Sequence, residues 1–424
     1  MSSTVISTRR RERVIYVTPV MPQPFGNGVA MRAASILDAL SRRFAVDLFV
    51  VPVGGELGPP GEFVRRHAAR IGGLDLASSL DPLFGLISRI RDPEERRRAL
   101  DAYPKPVLSR FCTGDSAQTL YEWAGEAPVA AVHVMRLYMA PLVQAFLRPA
   151  VLKRPFCVLD LDDDDVRTNE RLAALYGAVG DALAADAAAS EAVKYRSFAE
   201  RHLAAFDCAI ACSDADAARL GERFPAMRFA VVPNGYAVLR PGLRRSPPDA
   251  ATLRLLFVGN FQYFPNVDAA MVLCREVLPA LRQLTDRPIA VELAGTGDTT
   301  PLLDIARDPS VTLHGFVEDL GPLYGAADVA VVPIRAGGGT RIKLLEAFSH
   351  GVPVVATRLG AEGIDAEDGV HLLLADEPAA FARACLQLKT RPQYGAAIAN
   401  RAASLLLARY SPAQVAAAIA TVYD

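Results

Sequence analysis

The sequence has almost no surplus of charge of either sign, which limits the kinds of partner it can have. Its 46 lysines and arginines are matched by 47 aspartates and glutamates, giving a formal net charge of −1. Binding to the phosphates of DNA or RNA relies on a surplus of positive charge. We therefore expect no nucleic-acid partner.

Cysteine is also scarce, and its spacing excludes two kinds of site. The chain has 6 cysteines among 424 residues, and no two of them form a Cys-x-x-Cys pair. The pattern therefore indicates neither a structural zinc site nor a disulfide framework. Cys208 and Cys212 lie in the stretch AFDCAIACS, where we expect a buried strand whose thiols pack as small apolar groups.

Long apolar runs are missing as well. A helix that crosses a bilayer needs about 20 predominantly apolar residues, and we find no run of that length. Arg9, Arg10, Arg11 and Arg13 lead into a short strand and not into the apolar core of a signal peptide. We expect a cytoplasmic protein, and peripheral contact with the inner face of the membrane stays open as an alternative.

What the sequence has in quantity is apolar residues, which make up 51% of its 424 positions. A chain of this length exceeds one ordinary domain, and short apolar strands alternate with helices through both halves. We predict an α/β protein with two parallel sheets, one in residues 1–238 and one in residues 252–408. The segment LRPGLRRSPPDA is typical of a linker, which we place at 239–251.

The stretch PIRAGGGTRIKLLEAFSHGVPVVAT, Pro333 to Thr357, carries the strongest functional signal. A short apolar strand leads into a glycine-rich turn that includes Gly338 and Gly339, and Thr340 then stands where a helix cap belongs. Unpaired N–H groups and the helix dipole make such a helix start an anion site.

Two cations and a carboxylate follow this turn. Arg341 and Lys343 lie in the first helical turn and oppose the helix dipole, so we interpret them as ligands of an anion, most readily a phosphate. Glu346, about one turn further on, has the chemistry to accept hydrogen bonds from sugar hydroxyls. The alternative interpretation is a capped surface helix with two solvated cations.

Two strand ends in the first half carry further candidates. Gly26, Asn27 and Gly28 form a glycine turn ahead of a helix, but a plain strand-to-helix turn explains this weak signal equally well. The stretch HVMR places His133 and Arg136 at the carboxyl edge of a strand, where ligands of open α/β sheets gather. A packed or capping histidine is equally typical.

An acidic run, DLDDDD, follows the strand that ends at Leu159. Clustered carboxylates bind divalent cations or act as bases, but acidic residues ahead of a helix also favour its dipole. We predict no metal here, and we assign Asp160 and Asp162 a hydrogen-bonding role towards a substrate.

The segment from Pro333 to Thr357 resembles the donor-binding segment of retaining glycosyltransferases of the family-4 type. Their usual pattern is a Glu, seven residues, and a second Glu that opens Ala-Met/Phe-x-x-Gly-x-Pro-Val-Val-Ala. Glu346 and AFSHGVPVVAT match its second half, whereas the first Glu should fall at Gly338 and is absent. The Gly-rich-x-x-Lys-x-x-Glu pattern found here is similar to that of sugar transferases from bacterial exopolysaccharide gene clusters.

The resemblance implies the GT-B fold, in which two Rossmann-like domains with parallel sheets face each other across a cleft. A nucleotide-diphosphate sugar would bind mainly to the second domain, and a carbohydrate, lipid-linked or small-molecule acceptor would approach from the first. The resemblance also implies retention of anomeric configuration, no metal, and no cofactor besides the donor substrate. It further implies that the C-terminal helix, 409–424, crosses back onto the first domain.

Individual positions acquire roles from the same resemblance. The catalytic residues would be Arg341, Lys343, Glu346 and His133, with His133 near the donor sugar. Phe316 and Val317 fall where the family reads the nucleotide base through backbone atoms. The remaining donor-binding positions are Gly259, Asn260, Phe261, Gly295, Gly338, Gly339 and Thr340, and those bordering the cleft on the acceptor side are Gly26, Asn27, Gly28, Arg136, Asp160 and Asp162.

Two departures from the family pattern keep other functions open. One is the missing Glu at position 338. The other is the absence of the Arg and Lys that often follow the glycine at position 259, so that Arg341 and Lys343 would have to meet the phosphate charge. An epimerase or hydrolase acting on nucleotide sugars is one alternative, and an inactive protein that binds a nucleotide sugar is another.

Overall fold

The structure is a computed structural model that describes residues 11–55, 57–148, 154–237 and 251–424. Each half of the chain forms one doubly wound α/β domain. The predicted linker, 239–251, lies outside the described residues except for Ala251, and so do Arg9 and Arg10.

Every strand pair in the two sheets is parallel. Within the described residues the first sheet has the order β3-β2-β1-β4-β5-β6-β7 and the second has the order β10-β9-β8-β11-β12-β13. The strands are Arg13–Thr18 (β1), Ala45–Val50 (β2), Arg70–Gly73 (β3), Ala131–Met135 (β4), Phe156–Asp160 (β5), Cys208–Ala211 (β6), Phe229–Val231 (β7), Leu253–Val258 (β8), Ile289–Ala294 (β9), Val311–Gly315 (β10), Val329–Val332 (β11), Val354–Ala356 (β12) and Leu373–Leu374 (β13).

Helices cover both faces of each sheet, as parallel sheets require. The α-helices are Gly28–Ser41 (α1), Glu62–His67 (α2), Pro82–Ser88 (α3), Pro93–Asp101 (α4), Gly114–Ala124 (α5), Gln144–Leu147 (α6), Asp165–Ala178 (α7), Ala182–His202 (α8), Asp214–Arg223 (α9), Phe264–Val272 (α10), Leu278–Leu284 (α11), Gly321–Ala326 (α12), Ile342–Ser349 (α13), Pro378–Thr390 (α14), Pro392–Leu405 (α15) and Pro412–Val422 (α16).

The alternation of side chains along β1 shows why these apolar runs form buried strands. Ile15 and Val17 belong to the core on one face of the first sheet, and Val14 and Tyr16 belong to the core on the other face. All four are fully buried. A strand buried on both faces is a continuous apolar run, which is the pattern the sequence shows at most strand positions.

The strand order reverses between β1 and β4 in the first sheet and between β8 and β11 in the second. In open α/β sheets, ligands bind outside the carboxyl ends of the strands at such a reversal. The glycine turns at 26–28, at 259 and at 337–339 follow β1, β8 and β11 respectively. The topology therefore gathers separate stretches of the chain at the same edges of the two sheets.

The end of the chain returns to the first domain. Val415, Ile419 and Val422 of α16 lie in a core of the first domain with strand residues such as Val14. The helical stretch Pro392–Val422 is, within the described residues, long and apolar enough to cross a membrane by length and composition alone. Helix α15, in the first part of this stretch, contributes Ile398 to the core of the second domain. The apolar residues of α15 and α16 are thus also explained by packing in the cores of the two domains.

The predicted strand in AFDCAIACS is β6, Cys208–Ala211, and both Cys208 and Cys212 are buried as predicted. The sequence analysis did not predict β3, because its sequence, RIGG, lacks an apolar run. It pairs with β2 through positions such as Phe49 and Gly72. Gly72 is also required there, because a Cβ atom would lie 2.4 Å from the Trp123 ring.

Candidate functional site

The loops after β8, β9 and β11 form the second domain's side of the site. A Cβ atom at Gly295 would lie 1.6 Å from the carbonyl oxygen of Gly259, so the loops after β8 and β9 are in backbone contact. Gly295 also has a φ of 155°. Phe261 donates its backbone N–H to Thr296 at 2.7 Å and packs its side chain into the core. Gly259, Asn260, Phe261 and Gly295 are therefore brought together, and their predicted role in donor binding stays a prediction.

Helix α13 begins directly after the glycine turn, but its cap differs from the prediction. Arg341 is the N-cap residue, and its side chain makes no capping hydrogen bond. The prediction that Thr340 caps the helix is therefore wrong. Thr340 Oγ1 is instead buried without a hydrogen-bond partner among the described residues. The glycine turn with φ values of 109° at Gly337 and 66° at Gly339 sets this geometry, which side chains with a Cβ atom rarely adopt.

Arg341 has unused hydrogen-bonding capacity. Its Nη1 donates to the carbonyl oxygens of Gly338 and Gly339, whereas Nε and Nη2 are buried and have no partner among the described residues. The residue is only 9% exposed, and this burial lowers the pKa of the guanidinium group. Buried donors normally have partners, so Nε and Nη2 are suited to donate hydrogen bonds to an anion.

Lys343 lies beside Arg341 and links two loops. Its Nζ donates to Asn266 Oδ1 at 2.7 Å and lies 4.4 Å from the centre of the Phe257 ring. Asn266 in turn donates to the carbonyl oxygen of Asn260 at 2.8 Å. Burial, and then the neighbouring Arg341 charge, lowers the pKa of Lys343 to about 7. A lysine with this pKa gains strongly from an anionic ligand.

Glu346 is held by two tyrosines that the sequence analysis did not identify. One of its carboxylate oxygens accepts a hydrogen bond from Tyr236 at 2.9 Å, and the other accepts one from Tyr324 at 3.1 Å. Burial raises the pKa of Glu346. The ring of Tyr324 stacks on His350 with ring centres 4.3 Å apart. The carboxylate keeps further acceptor capacity, so its predicted contact with a sugar hydroxyl stays a prediction.

Phe316 and Val317 follow β10, at the edge of the second sheet. Phe316 is 72% exposed, and Val317 is half-buried. The residue before them, Gly315, accepts the backbone N–H of Gly295 at 2.8 Å, which ties this loop to the loops described above. Their predicted role at a nucleotide base stays a prediction.

The first domain approaches α13 through its own glycine turn. Asn27 caps α1, with Oδ1 accepting the N–H of Ala30 at 2.9 Å. Gly26 has a φ of 105°. A Cβ atom at Gly28 would lie 3.0 Å from Cδ1 of Ile342, the first residue of α13. The turn at 26–28 therefore lies against the helix that carries Lys343, across the boundary between the domains.

Asp160 is not available to a substrate, contrary to prediction. Its carboxylate accepts hydrogen bonds from Nε of Arg32 at 2.9 Å and from Nη2 at 2.6 Å. Both side chains are almost completely buried. Arg32 Nη1 continues to Asn234 Oδ1 at 3.0 Å, and the Arg32 charge holds the pKa of Asp160 down, to about 2, against the effect of burial. This is a structural ion pair, and no local pattern in the sequence pairs residues 128 positions apart.

The prediction that His133 lies at the carboxyl edge of its strand is also wrong. It is the third residue of β4, which continues to Met135, so it does not lie at the carboxyl edge. The side chain is fully buried. Its Nδ1 lies 2.7 Å from the hydroxyl of Tyr423, just after the end of α16. Burial lowers the pKa of His133, and its observed role is to join the C-terminal residues to the first sheet.

Arg136 and Asp162 do lie at the carboxyl edge, and both have unusual backbones. Their φ values of 76° and 58° fall in the left-handed region, which non-glycine residues enter at a cost and mainly at functional sites. Arg136 donates to Asp162 Oδ2 at 3.1 Å and to Asp165 Oδ1 at 2.5 Å. Nε of Arg136 is buried without a partner among the described residues.

The rest of the acidic run has separate partners. Asp164 caps α7 by accepting the N–H of Arg167 at 3.2 Å, and Asp163 accepts a hydrogen bond from Thr168 at 2.9 Å. Among the described residues, no group of three or more His, Cys, Asp or Glu side chains is arranged to hold a metal ion.

Helix α7 of the first domain is bound directly to the glycine turn of the second. Arg171 donates to the carbonyl oxygen of Gly337 at 2.9 Å and to both carboxylate oxygens of Glu362, at 2.5 and 3.0 Å. The rings of Tyr176 and Phe264 stack with centres 4.5 Å apart. The sequence analysis missed all four side chains, because each pairs with a partner in the other domain.

Comparison with known proteins agrees with this geometry. Residues 252–391 match the family model described as glycosyl transferases group 1. The second domain matches the group 1 glycosyltransferases. The whole chain has the GT-B fold, since solved structures of that fold align with 97% of it. The glycine turns and the start of α13 lie where its two Rossmann-like domains touch.

Two curated relatives each match part of the chain. D-inositol 3-phosphate glycosyltransferase of Corynebacterium kroppenstedtii is 30% identical over 148 residues, which is 32% of this chain and 32% of that protein. The same enzyme of Corynebacterium urealyticum is 28% identical over 243 residues, 51% of this chain and 56% of that protein. The chain thus aligns with about a third to just over half of the length of these curated relatives.

The solved GT-B structures cover nearly the whole chain. Sucrose-phosphate synthase of Thermosynechococcus elongatus has a TM-score of 0.65 at 15% identity, with 97% of this chain and 98% of that chain aligned. Anabaena HepE in complex with UDP and glucose has a TM-score of 0.60 at 15% identity, with 97% and 99% aligned. At this level of identity the likeness establishes the fold.

Proposed function

We propose that this protein is a glycosyltransferase that moves a sugar from a nucleoside-diphosphate sugar to an acceptor hydroxyl. The donor binds in the cleft, mainly to the second domain, and the acceptor enters from the first domain. The match of residues 252–391 to the group 1 family and the GT-B fold support this activity. The complexes of Anabaena HepE with UDP and glucose support a nucleotide-sugar donor.

The observation that carries the proposal is the set of unused donors at the start of α13. Arg341 has two buried nitrogens without a partner in the described chain, and Lys343 lies beside it with its pKa lowered to about 7. A helix N-terminus adds N–H groups and the positive end of the dipole. A diphosphate supplies the negative charge and the acceptor oxygens that these groups lack.

The chemistry follows from that placement. The bond between the anomeric carbon and the phosphate oxygen breaks, and the electron pair leaves with the nucleoside diphosphate. Arg341, Lys343 and the amides of α13 stabilise this charge as it develops. The acceptor oxygen bonds to the same face of the sugar, and its proton passes to the departing phosphate oxygen. This front-face course retains the configuration and needs no carboxylate nucleophile from the protein; Asp160, Asp162 and Asp165 are already paired with arginines.

Finer features belong to the same proposal. We place the chain in the family-4 type, near the sugar transferases of exopolysaccharide clusters, and expect it to act in the cytoplasm without a metal. The acceptor is a carbohydrate, a lipid-linked sugar or a small molecule. Peripheral membrane contact is supported by the exposed Leu83 and Leu86 of α3, 48% and 62% exposed, and the exposed Arg89 and Arg91 that follow. Sedimentation with anionic vesicles, compared between wild type and Leu86→Asp, tests this contact.

A thermal-shift screen with nucleoside diphosphates and their sugars tests the proposed activity, because a ligand that binds the native state raises the unfolding temperature. The best donor is then incubated with a panel of acceptors. Lys343→Ala should abolish transfer while the circular dichroism spectrum is unchanged. Near-normal turnover by that variant would contradict the phosphate assignment.

The same screen separates the two alternatives. An epimerase or hydrolase would convert the nucleotide sugar with no acceptor present. An inactive binding protein would bind the nucleotide and give no turnover with any acceptor. Acceptor-dependent release of the nucleoside diphosphate is the result that the transferase requires.

A further inference from the structure

A carboxylate of the first domain reaches into the glycine turn of the second. Asp163 lies in the turn between β5 and α7. One of its oxygens, Oδ2, accepts a hydrogen bond from Thr168 at 2.9 Å, whereas Oδ1 is buried and has no partner among the described residues. A Cβ atom at Gly338 would lie 2.1 Å from that Oδ1 and 2.0 Å from Thr168 Oγ1. Asp163 therefore occupies the space that a side chain at position 338 would need.

This contact explains why position 338 is a glycine. Gly337 and Gly339 have φ values of 109° and 66°, in the left-handed region, but Gly338 is not among the positive-φ residues. A left-handed φ is therefore not what requires a glycine at this position. What excludes a side chain at Gly338 is the approach of Asp163 and Thr168 from the other domain.

The polar groups around this contact are complementary but unpaired. Asp163 Oδ1 lacks a donor, while Arg341 Nε and Nη2 lack acceptors and Thr340 Oγ1 lacks any partner in the described chain. Asp163 and Arg341 influence each other electrostatically, yet no ion pair joins them within the described residues. Leaving such groups buried and unpaired is costly. The diphosphate proposed above would accept from Arg341, and a hydroxyl group attached next to it can donate to the free oxygen of Asp163.

An interdomain clamp, formed by Arg171 with Gly337 and Glu362, holds the position of the Asp163 carboxylate. Arg171, two turns along α7 from Asp163, binds the carbonyl oxygen of Gly337 and both oxygens of Glu362. Because α7 starts two residues after Asp163, this clamp fixes the distance between the carboxylate and the glycine turn. The contact therefore depends on how the two domains are held together.

We propose that Asp163 binds hydroxyl groups of the donor's sugar ring, so that a first-domain residue completes the sugar site of the second domain. This inference rests on the proposed function. The diphosphate lies at Arg341, and the sugar is attached directly to it. The glycine turn and Asp163 lie next to Arg341, so the ring meets the carboxylate where the two domains touch. Asp163 is a residue of donor-sugar specificity, and the nucleoside diphosphate alone does not contact it.

The test compares ligands that differ only in the sugar. Binding of UDP and UDP-glucose, and of GDP and GDP-mannose, is measured by calorimetry for the wild type and for Asp163→Asn. The matched control is Asp164→Asn, because Asp164 caps α7 and asparagine also caps helices. We expect Asp163→Asn to weaken binding of the preferred nucleotide sugar about tenfold or more, as for loss of a hydrogen bond to a charged group. Its affinity for the nucleoside diphosphate should stay unchanged, and Asp164→Asn should change neither.

Two results would overturn the role of Asp163. The variant could keep the full difference in affinity between nucleotide sugar and nucleoside diphosphate, or it could lose affinity for both ligands equally, which would indicate a role in domain contact alone. A wild-type protein that binds none of the four ligands would instead overturn the proposed function itself.

A double-mutant cycle tests the contact independently. Gly338→Ala should displace Asp163 and weaken sugar-dependent binding, while Gly325→Ala, where a Cβ atom meets nothing within 4 Å, should leave it unchanged. In Asp163→Ala the added methyl group at 338 has less to displace, so the two effects should be less than additive. Fully additive effects would contradict the contact.

Discussion

Two buried arginines show how differently the two domains use charge. In the first domain, Arg32 donates from all of its nitrogens, to Asp160, to the carbonyl oxygen of Val232 and to Asn234. In the second domain, Arg341 donates only from Nη1, to two carbonyl oxygens of its own turn. Its other two nitrogens are buried without a partner among the described residues.

Arg32 is therefore a structural charge, whereas the free donors of Arg341 are those of a charge that binds a ligand, as we propose. A buried charge that is fully paired needs nothing more, and removing one partner leaves the other uncompensated. A buried charge with free donors lowers the stability of the empty protein and gains when an anion arrives. The glycine turn beside Arg341 marks that residue in the sequence, whereas nothing local to Arg32 indicates its partner Asp160, which is 128 positions away.

The largest effect that we expect is on stability, from Arg32→Met. This variant leaves Asp160 buried without its cation, which should lower the free energy of unfolding by about 3–5 kcal/mol. Urea denaturation measures the change. The double variant Arg32→Met with Asp160→Leu removes both charges and should recover much of the loss. If the double variant were no more stable than the single one, the loss would come from packing and not from the unpaired carboxylate.

The second largest effect that we expect is on ligand binding and comes from Arg341. Arg341→Met should leave the free energy of unfolding unchanged or raise it, because the buried charge is only partly paired, but weaken binding of the nucleoside diphosphate by about 1.5–3 kcal/mol, more than tenfold. Calorimetry measures the affinity. Arg335→Met is the control, because Arg335 precedes the same turn and is already paired with Asp268 at 2.5 Å. Equal losses in the two variants would contradict a specific role for Arg341.

The third prediction concerns the pH dependence of binding through Lys343. Its pKa of about 7 means that it loses its charge in the free protein above pH 7. A bound diphosphate favours the charged form, so binding above pH 7 takes up a proton and weakens by up to about tenfold per pH unit. Calorimetry in buffers of different ionisation enthalpy measures the proton uptake. Lys343→Met controls for the ionisation of the ligand itself, and a dependence that persists in this variant would exclude Lys343 as its source.

The same pKa has a consequence for the free protein. Between about pH 7 and the usual range for lysine, the unfolded chain binds more protons at this position than the folded one. The contribution of Lys343 to stability therefore rises with pH over that window. Subtracting the stability profile of Lys343→Met should isolate a contribution of this sign.

The smallest effect should come from the clamp between the domains. Glu362→Gln removes the charge that pairs with Arg171, and partly exposed ion pairs contribute about 0.2–1 kcal/mol, so donor affinity should fall by no more than about fivefold. The effect should be larger at low salt, as calorimetry at two ionic strengths would show. Glu200→Gln is the control, since its pair with Arg223 lies within the first domain. A salt-independent loss would point away from the ion pair.

The two parallel sheets and the glycine turn before α13 could be predicted from the sequence. Apolar runs of strand length, glycine turns and helix starts are local patterns, so the short strand and the glycine turn ahead of α13 were placed correctly from a few neighbouring residues. Arg341 and Lys343 were found for the same reason, because both adjoin that turn. Their predicted role in binding a diphosphate remains to be tested.

Which polar residues are free and which are already paired depends on the tertiary fold and could not be predicted from the sequence. It buried Asp160 against Arg32, removed His133 from the cleft, gave Glu346 two tyrosine partners, and set Asp163 against Gly338. All of these pairs except Tyr324 with Glu346, which are 22 positions apart, join residues that are more than a hundred positions apart in the chain. The physical reason is that strand order and domain contact bring them together, and neither leaves a local pattern in the sequence.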